Sequence, residues 1–382
     1  MKKFYLLLTL VALVSVAYSQ VHFVKGFVGA GYNHMNLVIN NANINGIQLD
    51  AGDEIAVFDG NLCVGAITLT QALDPAQSNT YPVLVASSDD GKSNGFKQGN
   101  KMYFRFWDSS AGIEYHNVIP IVTDNQGATI PNAFEPNGTA YVNAGTAPTN
   151  VNWVGGNTAG GAQSWGNINN WNPKVIPEPY HNVNIPNVIA ARMPIIFGGT
   201  TAWAGSITTA SNVVLTVWSD DTGDGSLIVS NGITGTGIGA GMRYMTPDNW
   251  HLFSSFVSGQ SVSDFLTNNY AIPTKNTESR GLITYEESID NWNDLFTNSS
   301  GGTIDLGLGY CVRIEDQGDP TMNNVTFSGS FVNGNVLASL SKSNFGWNLI
   351  GNPFTSAMYV RQEVNGFLTV NEAKIDPSFL AL

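Results

Sequence analysis

Short apolar segments alternate with Gly, Asn, Asp and Pro along almost the whole chain, and in residues 21–147 most of them are five to eight residues long. Two turns are specific, because Asn45-Gly46 and Asp59-Gly60 supply the positive φ angles that tight hairpins require. Short strands separated by such turns are typical of antiparallel two-layer proteins. The pattern therefore predicts an antiparallel β-sandwich over residues 21–147.

The pattern changes after a linker at residues 145–149, and residues 148–245 are rich in Trp, Asn, Gly and Thr with few charges. Short β-rich pieces recur there, at Val183–Ile185, Ser206–Thr209, Val213–Val217 and Ser226–Val229. Stacked turns of a short β-solenoid have this appearance. The step from Ile207 to Leu215 is eight residues and the step from Leu215 to Leu227 is twelve, so no constant rung length emerges. The segment is predicted to be a solenoid-like β-repeat region.

Alternating strands return in residues 246–382, together with one candidate helix. Ser261 and Asp264 form a capping pair, and Val262 and Phe265 lie on one apolar face behind it. We expect a β-rich, sandwich-like third domain with one short helix, and the whole chain is predicted to be all-β. The chain ends in an apolar run at residues 375–382, and we expect this third domain to be truncated there.

The N-terminus has the features of a secretory signal peptide. Lys2 and Lys3 precede an apolar run at Phe4–Ala17, and Ala17-Tyr18-Ser19 offers the small-x-small pattern of a cleavage site. The apolar run is shorter than the ~20 residues that span a bilayer, which argues against a membrane anchor. We predict cleavage after Ser19, no transmembrane segment in the mature chain, and a secreted or cell-surface protein.

Charge and cysteine content exclude several classes of protein. The net charge of −13 disfavours nucleic acid and anionic membranes as partners. The chain has only two cysteines, Cys63 and Cys311, which excludes a disulfide-rich scaffold and a cysteine-based zinc cluster. Each cysteine lies in an apolar run, so we expect two buried, unpaired thiols rather than one disulfide.

Three blocks together resemble modular secreted and surface β-proteins of Bacteroidota that are exported by the type IX secretion system. They are Gly46–Gly60 with Cys63–Gly65 and Phe104–Asp108; Trp165 and Asn170–Asn172 with Pro177 and Val183–Pro186; and Trp347–Pro353. The resemblance implies an extracellular compartment and a modular design, and it implies no activity. Such proteins usually end in a small sorting domain, and none is recognised before Leu382. Either the chain is a fragment or it uses another pathway.

The sequence contains no recognisable catalytic motif. The run Gly235-Thr-Gly237-Ile-Gly-Ala240 matches a dinucleotide-binding fingerprint, but no periodic helix follows it. The five histidines lack helical zinc spacing, and neither H-E-x-x-H nor G-x-S-x-G occurs. The sequence alone does not exclude a pair of catalytic carboxylates like that of a glycosidase. We predict that the protein is not an enzyme and carries no cofactor, with Ca²⁺ as the one candidate.

Two weak sites are nevertheless predicted. Asp220, Asp221 and Asp224 place three carboxylates within five residues beside glycines, a composition that suits Ca²⁺, although a solvated acidic loop without metal is the favoured explanation. Trp165, Trp171 and Trp203 lie among Asn, Gly and Thr, and exposed rings of this kind stack on sugars. The alternative is that these rings belong to the core.

The functional hypothesis is a non-enzymatic secreted or surface protein that acts in adhesion or in binding a ligand such as a carbohydrate. Its expected partners are extracellular glycans or components of a host or cell surface. The alternative is an accessory region of a larger extracellular enzyme that degrades polysaccharides or proteins, with its catalytic domain outside this chain. The sequence leaves the ligand and the oligomeric state open.

Overall fold

A computed structural model describes residues 21–29, 31–146, 148–156, 161–319, 322–332, 334–361 and 366–376. The predicted signal peptide and the last six residues lie outside this part of the chain. The described residues form strands with two short helices, which confirms the all-β prediction. They divide into two compact units, residues 1–148 and 149–382.

The first unit contains two sheets. Its strands are β1 (Met35–Ile44), β2 (Ile47–Gln48), β3 (Glu54–Asp59), β4 (Leu62–Thr68), β5 (Val83–Ala86), β6 (Met102–Asp108), β7 (Ile113–Tyr115), β8 (Val118–Thr123) and β9 (Thr139–Thr146). One sheet has the order β2-β1-β9-β8 with β5 also paired to β1, and the other has the order β4-β3-β6-β7. Along β1, β5 and β9 buried residues alternate with more exposed ones, so these strands bury one face.

One pair of strands departs from the predicted antiparallel β-sandwich. β1 and β9 run parallel, with Leu37 opposite Ala140. These strands come from the two ends of the unit, and the chain passes through the other sheet between them. A parallel pair needs such a long connection, whereas hairpins join antiparallel neighbours. The predicted Asn45-Gly46 turn does join β1 to β2, with both residues at positive φ.

Two acidic residues of the Gly46–Gly60 block accept hydrogen bonds from loop residues of the first unit. Glu54 is only 1% exposed, and its carboxylate accepts hydrogen bonds from the backbone N–H groups of His22 and of the next residue, at 2.8 and 3.0 Å. Asp53 accepts hydrogen bonds from the backbone and the hydroxyl of Ser109, at 3.0 and 3.1 Å. These carboxylates are therefore structural, since each satisfies backbone donors that would otherwise be unpaired.

The second unit contains twenty-one strands and two helices among the described residues. They are β10 (Asn150–Trp153), β11 (Trp171–Asn172), β12 (Asn182–Ile185), β13 (Ile195–Ile196), β14 (Thr201–Ala204), β15 (Ser206–Thr209), β16 (Val214–Val217), β17 (Ser219–Asp220), β18 (Gly223–Asp224), β19 (Ser226–Val229), β20 (Ile233–Gly235), β21 (Ile238–Tyr244), β22 (Trp250–Phe253), β23 (Val257–Ser258), α1 (Val262–Asn268), β24 (Thr274–Lys275), β25 (Ser279–Arg280), β26 (Leu282–Ile283), β27 (Tyr285–Glu286), β28 (Asn291–Trp292), β29 (Tyr310–Arg313), β30 (Asn324–Phe331) and α2 (Phe367–Val370).

The strands from β10 to β21 form a parallel β-solenoid with three sheets. The first solenoid sheet contains β10, β12, β15 and β20, the second contains β13, β16 and β21, and the third contains β14 and β19. Neighbouring strands within these sets are parallel, as in the pairs β12–β15, β16–β21 and β14–β19. β11 pairs antiparallel with β10 at the edge of the first sheet. The chain visits the three sheets in turn and then returns to the first one, so each circuit is one rung.

The rungs repeat at a spacing that the sequence analysis missed. Register pairs Val151 with Val183, Val183 with Ile207 and Ile207 with Ile233, so successive rungs are 32, 24 and 26 residues apart. Ile207, Leu215 and Leu227 lie in the first, second and third sheets of one rung. The steps of eight and twelve residues therefore measure distances around a rung, not the distance between rungs.

Antiparallel strands follow the solenoid in the same unit. β21 pairs with β30, and β22, β29 and β26 form a separate sheet. Phe253, Phe265 and Phe327 pack together, with ring centroids 5.5–5.8 Å apart. The predicted helix is confirmed as α1, where the Ser261 side chain accepts a hydrogen bond from the backbone N–H of Asp264. α2 was not predicted.

Candidate ligand-binding face

Eight uncharged polar residues line the outer face of the first solenoid sheet. The alternation along each strand places Val151, Val183 and Ile207 inside, at 0–2% exposure, and leaves their polar neighbours outside. We call these outer residues the polar ladder: Asn150, Asn152, Asn172, Asn182, Asn184, Ser206, Thr208 and Thr234. All of them are exposed or half-buried.

Register aligns the polar ladder in two columns. Asn150, Asn182 and Ser206 form the first column, and Asn172, Asn152, Asn184, Thr208 and Thr234 form the second. Residues two apart on a strand are separated by ~7 Å, and neighbouring strands by ~4.8 Å. The face therefore presents amide and hydroxyl groups on a regular grid of about 7 by 19 Å.

Hydrogen bonds run along both columns. The side-chain amide of Asn184 donates to the side-chain oxygen of Asn152 at 3.0 Å. The hydroxyl of Ser206 donates to the side-chain oxygen of Asn182 at 2.8 Å. The hydroxyls of Thr208 and Thr234 lie 3.2 Å apart. These bonds hold the side chains in one orientation, and each amide retains donor or acceptor capacity toward solvent.

A buried tryptophan cluster lies at the start of the solenoid, beside the polar ladder. Trp171 packs edge-on against Trp153 and Trp165, with both centroid distances at 4.8 Å. The indole N–H of Trp171 donates to the backbone oxygen of Trp165 at 2.8 Å. Next to Trp171, Asn170 is fully buried and holds the preceding loop. This packing positions Asn172, which belongs to the second column.

The cluster corrects the predicted glycan platform. Trp165 and Trp171 are each 1% exposed, so neither ring presents a face to a ligand. Their large apolar area is buried against the other rings, which is the usual place for Trp. Trp203 differs from them, because it lies on β14 in the third solenoid sheet and is 40% exposed.

The predicted calcium residues lie in a hairpin formed by β17 and β18. Hydrogen bonds from the hydroxyl and the backbone N–H of Thr222 lower the pKa of Asp220. Asp224 accepts a hydrogen bond from Ser219, and Asp221 is exposed at the turn. Local donors thus engage one carboxylate oxygen each of Asp220 and Asp224, and no group of three or more His, Cys, Asp or Glu among the described residues is arranged to hold a metal ion. The calcium site stays a prediction.

His181 supports the polar ladder from inside the solenoid. It is fully buried, and its Nδ1 accepts a hydrogen bond from the backbone N–H of Glu178 at 2.9 Å. Its own carbonyl accepts hydrogen bonds from the N–H groups of Gly205 and Ser206, at the start of β15. Burial lowers the pKa of His181 to about 4, so the ring is neutral at pH 7.

We expect His181 to make folding less favourable in acid. The unfolded chain takes up a proton near pH 6.5 and the folded chain only near pH 4, so stability falls as the pH drops through this window. A shift of this size corresponds to ~3 kcal/mol at pH 4. His181→Asn keeps an acceptor near Nδ1 but does not titrate. Urea unfolding should show that the free energy of unfolding falls less between pH 7 and pH 4 in this variant than in the wild type. Equal decreases in the two proteins would contradict the prediction.

Both cysteines are free, buried thiols in different units. Burial raises the pKa of Cys63 to about 11, and it also raises the pKa of Cys311. A thiol with a raised pKa is a poor nucleophile at neutral pH, because the thiolate is the reactive form.

The described residues contain no helix that is both long and apolar enough to cross a membrane.

A family model described as a domain of unknown function (DUF8693) matches residues 153–381, which is more than half of the chain. The chain belongs to this family. The DUF8693 match begins at the last residue of β10 and covers the rest of the solenoid and the sheets that follow it, so six of the eight residues of the polar ladder lie within the DUF8693 domain. The first unit lies outside the match. No curated protein and no solved structure matches the chain.

Sequence analysis missed the polar ladder, although a signal for it exists. Asn-Val-Asn occurs at 150–152 and 182–184, and Ser-Ile-Thr occurs at 206–208. Each triplet has an apolar centre between two uncharged polar residues. Comparison of these triplets at the rung spacing would have placed the polar residues on one outer face.

Proposed function

We propose that this protein is a non-enzymatic extracellular binding module that attaches to uncharged carbohydrate through the polar ladder. It is secreted or held at the cell surface, and the resemblance to type IX cargo of Bacteroidota supports that compartment. The observation that carries the proposal is the grid itself, in which eight neutral amide and hydroxyl side chains from five adjacent strands face outward. Sugars present hydroxyl groups that pair with such donors and acceptors.

Charge supports a neutral ligand. None of the eight ladder residues carries a charge, while the chain as a whole has a net charge of −13. Anionic polymers are repelled by such a chain, and a face without cations offers them no ion pair in compensation. A neutral polysaccharide meets no such penalty. An extended polymer also matches a face about 19 Å long, since several sugars then bind at once.

The ladder has a structural role as well, because rows of Asn side chains stabilise stacked parallel strands. That role accounts for the hydrogen bonds between rungs. It does not require the outer positions to be uniformly neutral, since charged residues also occupy exposed strand positions in solenoids. The two roles are separable by experiment, because a purely structural ladder binds no ligand.

The test is affinity electrophoresis of the full chain in gels that contain hydroxyethylcellulose, galactomannan or laminarin, all neutral, or carboxymethylcellulose, which is anionic. We expect retardation in at least one neutral gel. The double variant Asn184→Asp/Thr208→Val removes one amide and one hydroxyl with little change in shape. Its affinity should fall about tenfold, the loss expected for two modest hydrogen bonds.

The matched control is Asn61→Asp/Thr68→Val, which makes the same chemical changes at exposed positions of the first unit. It should bind as the wild type does. Melting temperatures of both variants report whether folding has changed. Absence of retardation in every neutral gel would overturn the proposal, as would equal losses in the ladder and control variants.

A further inference from the structure

We propose that the bound polysaccharide stacks a pyranose ring on Trp203 and crosses the corner at Gly205 to reach the polar ladder. This inference rests on the proposed function and adds a second contact to the same site. It also narrows the ligand to neutral β-linked sugars whose rings have equatorial hydroxyls. Such rings expose flat C–H faces, and these faces are what an indole ring contacts.

Trp203 points away from the solenoid core. It lies on β14 between Ala202 and Ala204, which are buried at 2% and 0% exposure, so the alternation points the indole outward. Its partner in the next rung is Ile228, and Thr201 and Ser226 are paired beside them. The ring therefore stands on an uncharged surface, like that of the polar ladder.

The corner at Gly205 joins the two surfaces closely. A side chain at Gly205 would place its Cβ only 2.9 Å from the carbonyl oxygen of Pro179 and 3.1 Å from that of His181. Gly205 itself adds no side chain between Trp203 and Ser206, the first ladder residue of β15. Three residues of chain span at most about 11 Å, so both contacts lie within reach of two or three linked sugars.

Other exposed tryptophans lack this setting. Trp250 is 46% exposed, but its register partner is Arg313, and it lies on a sheet separate from the solenoid. Trp292 is 41% exposed and packs edge-on against Tyr285. Among the exposed indoles of the described residues, which also include Trp347 at 47% exposure, Trp203 alone lies on a strand that a turn of one residue joins to a ladder strand. Trp250 thus serves as a control of equal chemistry and similar exposure.

The experiment measures binding of the full chain to hydroxyethylcellulose and to carboxymethylcellulose, which share one β-glucan backbone and differ in charge. We expect the wild type to bind the neutral polymer and to bind the anionic one at least about tenfold more weakly. Trp203→Ala should weaken binding of the neutral polymer about tenfold, and Trp203→Phe should restore part of it. Trp250→Ala should bind as the wild type does.

The outcomes separate this inference from the proposed function. If Trp203→Ala binds as tightly as the wild type while Asn184→Asp/Thr208→Val does not, the stacking contact is wrong and the ladder site stands. If galactomannan binds and hydroxyethylcellulose does not, the assigned sugar class is wrong. If no neutral polymer binds, both proposals fail. Quenching of tryptophan emission by the polymer, present in the wild type and reduced in Trp203→Ala, gives an independent readout.

Discussion

Replacing Gly235 with alanine is expected to destabilise the second unit by about 3–5 kcal/mol, which is among the larger effects of a single substitution. Gly235 ends β20 and has a φ of +98°, a conformation that disfavours any residue with a Cβ. An added Cβ would also lie 2.0 Å from the carbonyl oxygen of Thr209 in the rung below. Backbone cannot move aside as a flexible side chain does, so the last rung would shift.

Gly199→Ala is the matched control for this prediction. Gly199 also has a positive φ, +74°, but a Cβ there would meet nothing within 4 Å. Its substitution should cost only about 1–2 kcal/mol, the cost of the backbone conformation alone. Urea unfolding followed by tryptophan emission is suitable, because eight of the nine tryptophans lie in the second unit. Equal losses for the two variants would show that the close approach to Thr209 does not matter.

The packing around Gly235 also explains why the sequence matches a nucleotide-binding fingerprint. Gly235 allows the turn between β20 and β21, and a Cβ on Gly237 would lie 2.7 Å from the hydroxyl oxygen of Thr209. Both glycines are needed for close packing of backbone between rungs. The sequence was sufficient to reject a Rossmann loop, since no helix follows. It did not reveal the rung beneath, because Thr209 is 26 residues earlier in the chain.

The fold was predictable where the signals are local. The capping pair at Ser261 and Asp264 predicted α1, and Asn45-Gly46 predicted the turn after β1, because each signal is contained in a few consecutive residues. The parallel pairing of β1 with β9 was not predictable in this way. Strand direction there depends on contacts between residues about one hundred positions apart, and no local pattern encodes it.

The candidate site shows the same division. Composition directed attention to the Trp- and Asn-rich middle region, but it could not separate a buried ring such as Trp165 from an exposed one such as Trp203. Burial depends on which segments pack above each ring. The polar ladder is likewise distributed over rungs 24–32 residues apart. Only the register of the solenoid brings these residues together on one face.

Asn170→Ala is expected to destabilise the second unit by about 3–4 kcal/mol, because it removes the side chain that organises the start of the solenoid. Asn170 is fully buried. Its side-chain oxygen accepts a hydrogen bond from the N–H of Gly156 at 2.5 Å. Its amide donates to the carbonyl oxygens of Gly161 and Ser164, at 2.7 and 2.8 Å. Alanine would remove all three hydrogen bonds from a part-buried setting, and each such loss costs about 1 kcal/mol.

Asn169→Ala tests whether burial causes this effect. Asn169 is the adjacent residue and is exposed, and the hydrogen bond recorded for it uses its backbone N–H, which alanine retains. Its loss of stability should stay within about 0.5 kcal/mol, as for most surface positions. Because Asn170 also precedes Trp171 and Asn172, Asn170→Ala should increase amide exchange at those two residues while leaving β21 and β30 protected. A loss of stability that is equal in both variants, or exchange that rises uniformly across the unit, would contradict a local role for the Asn170 side chain.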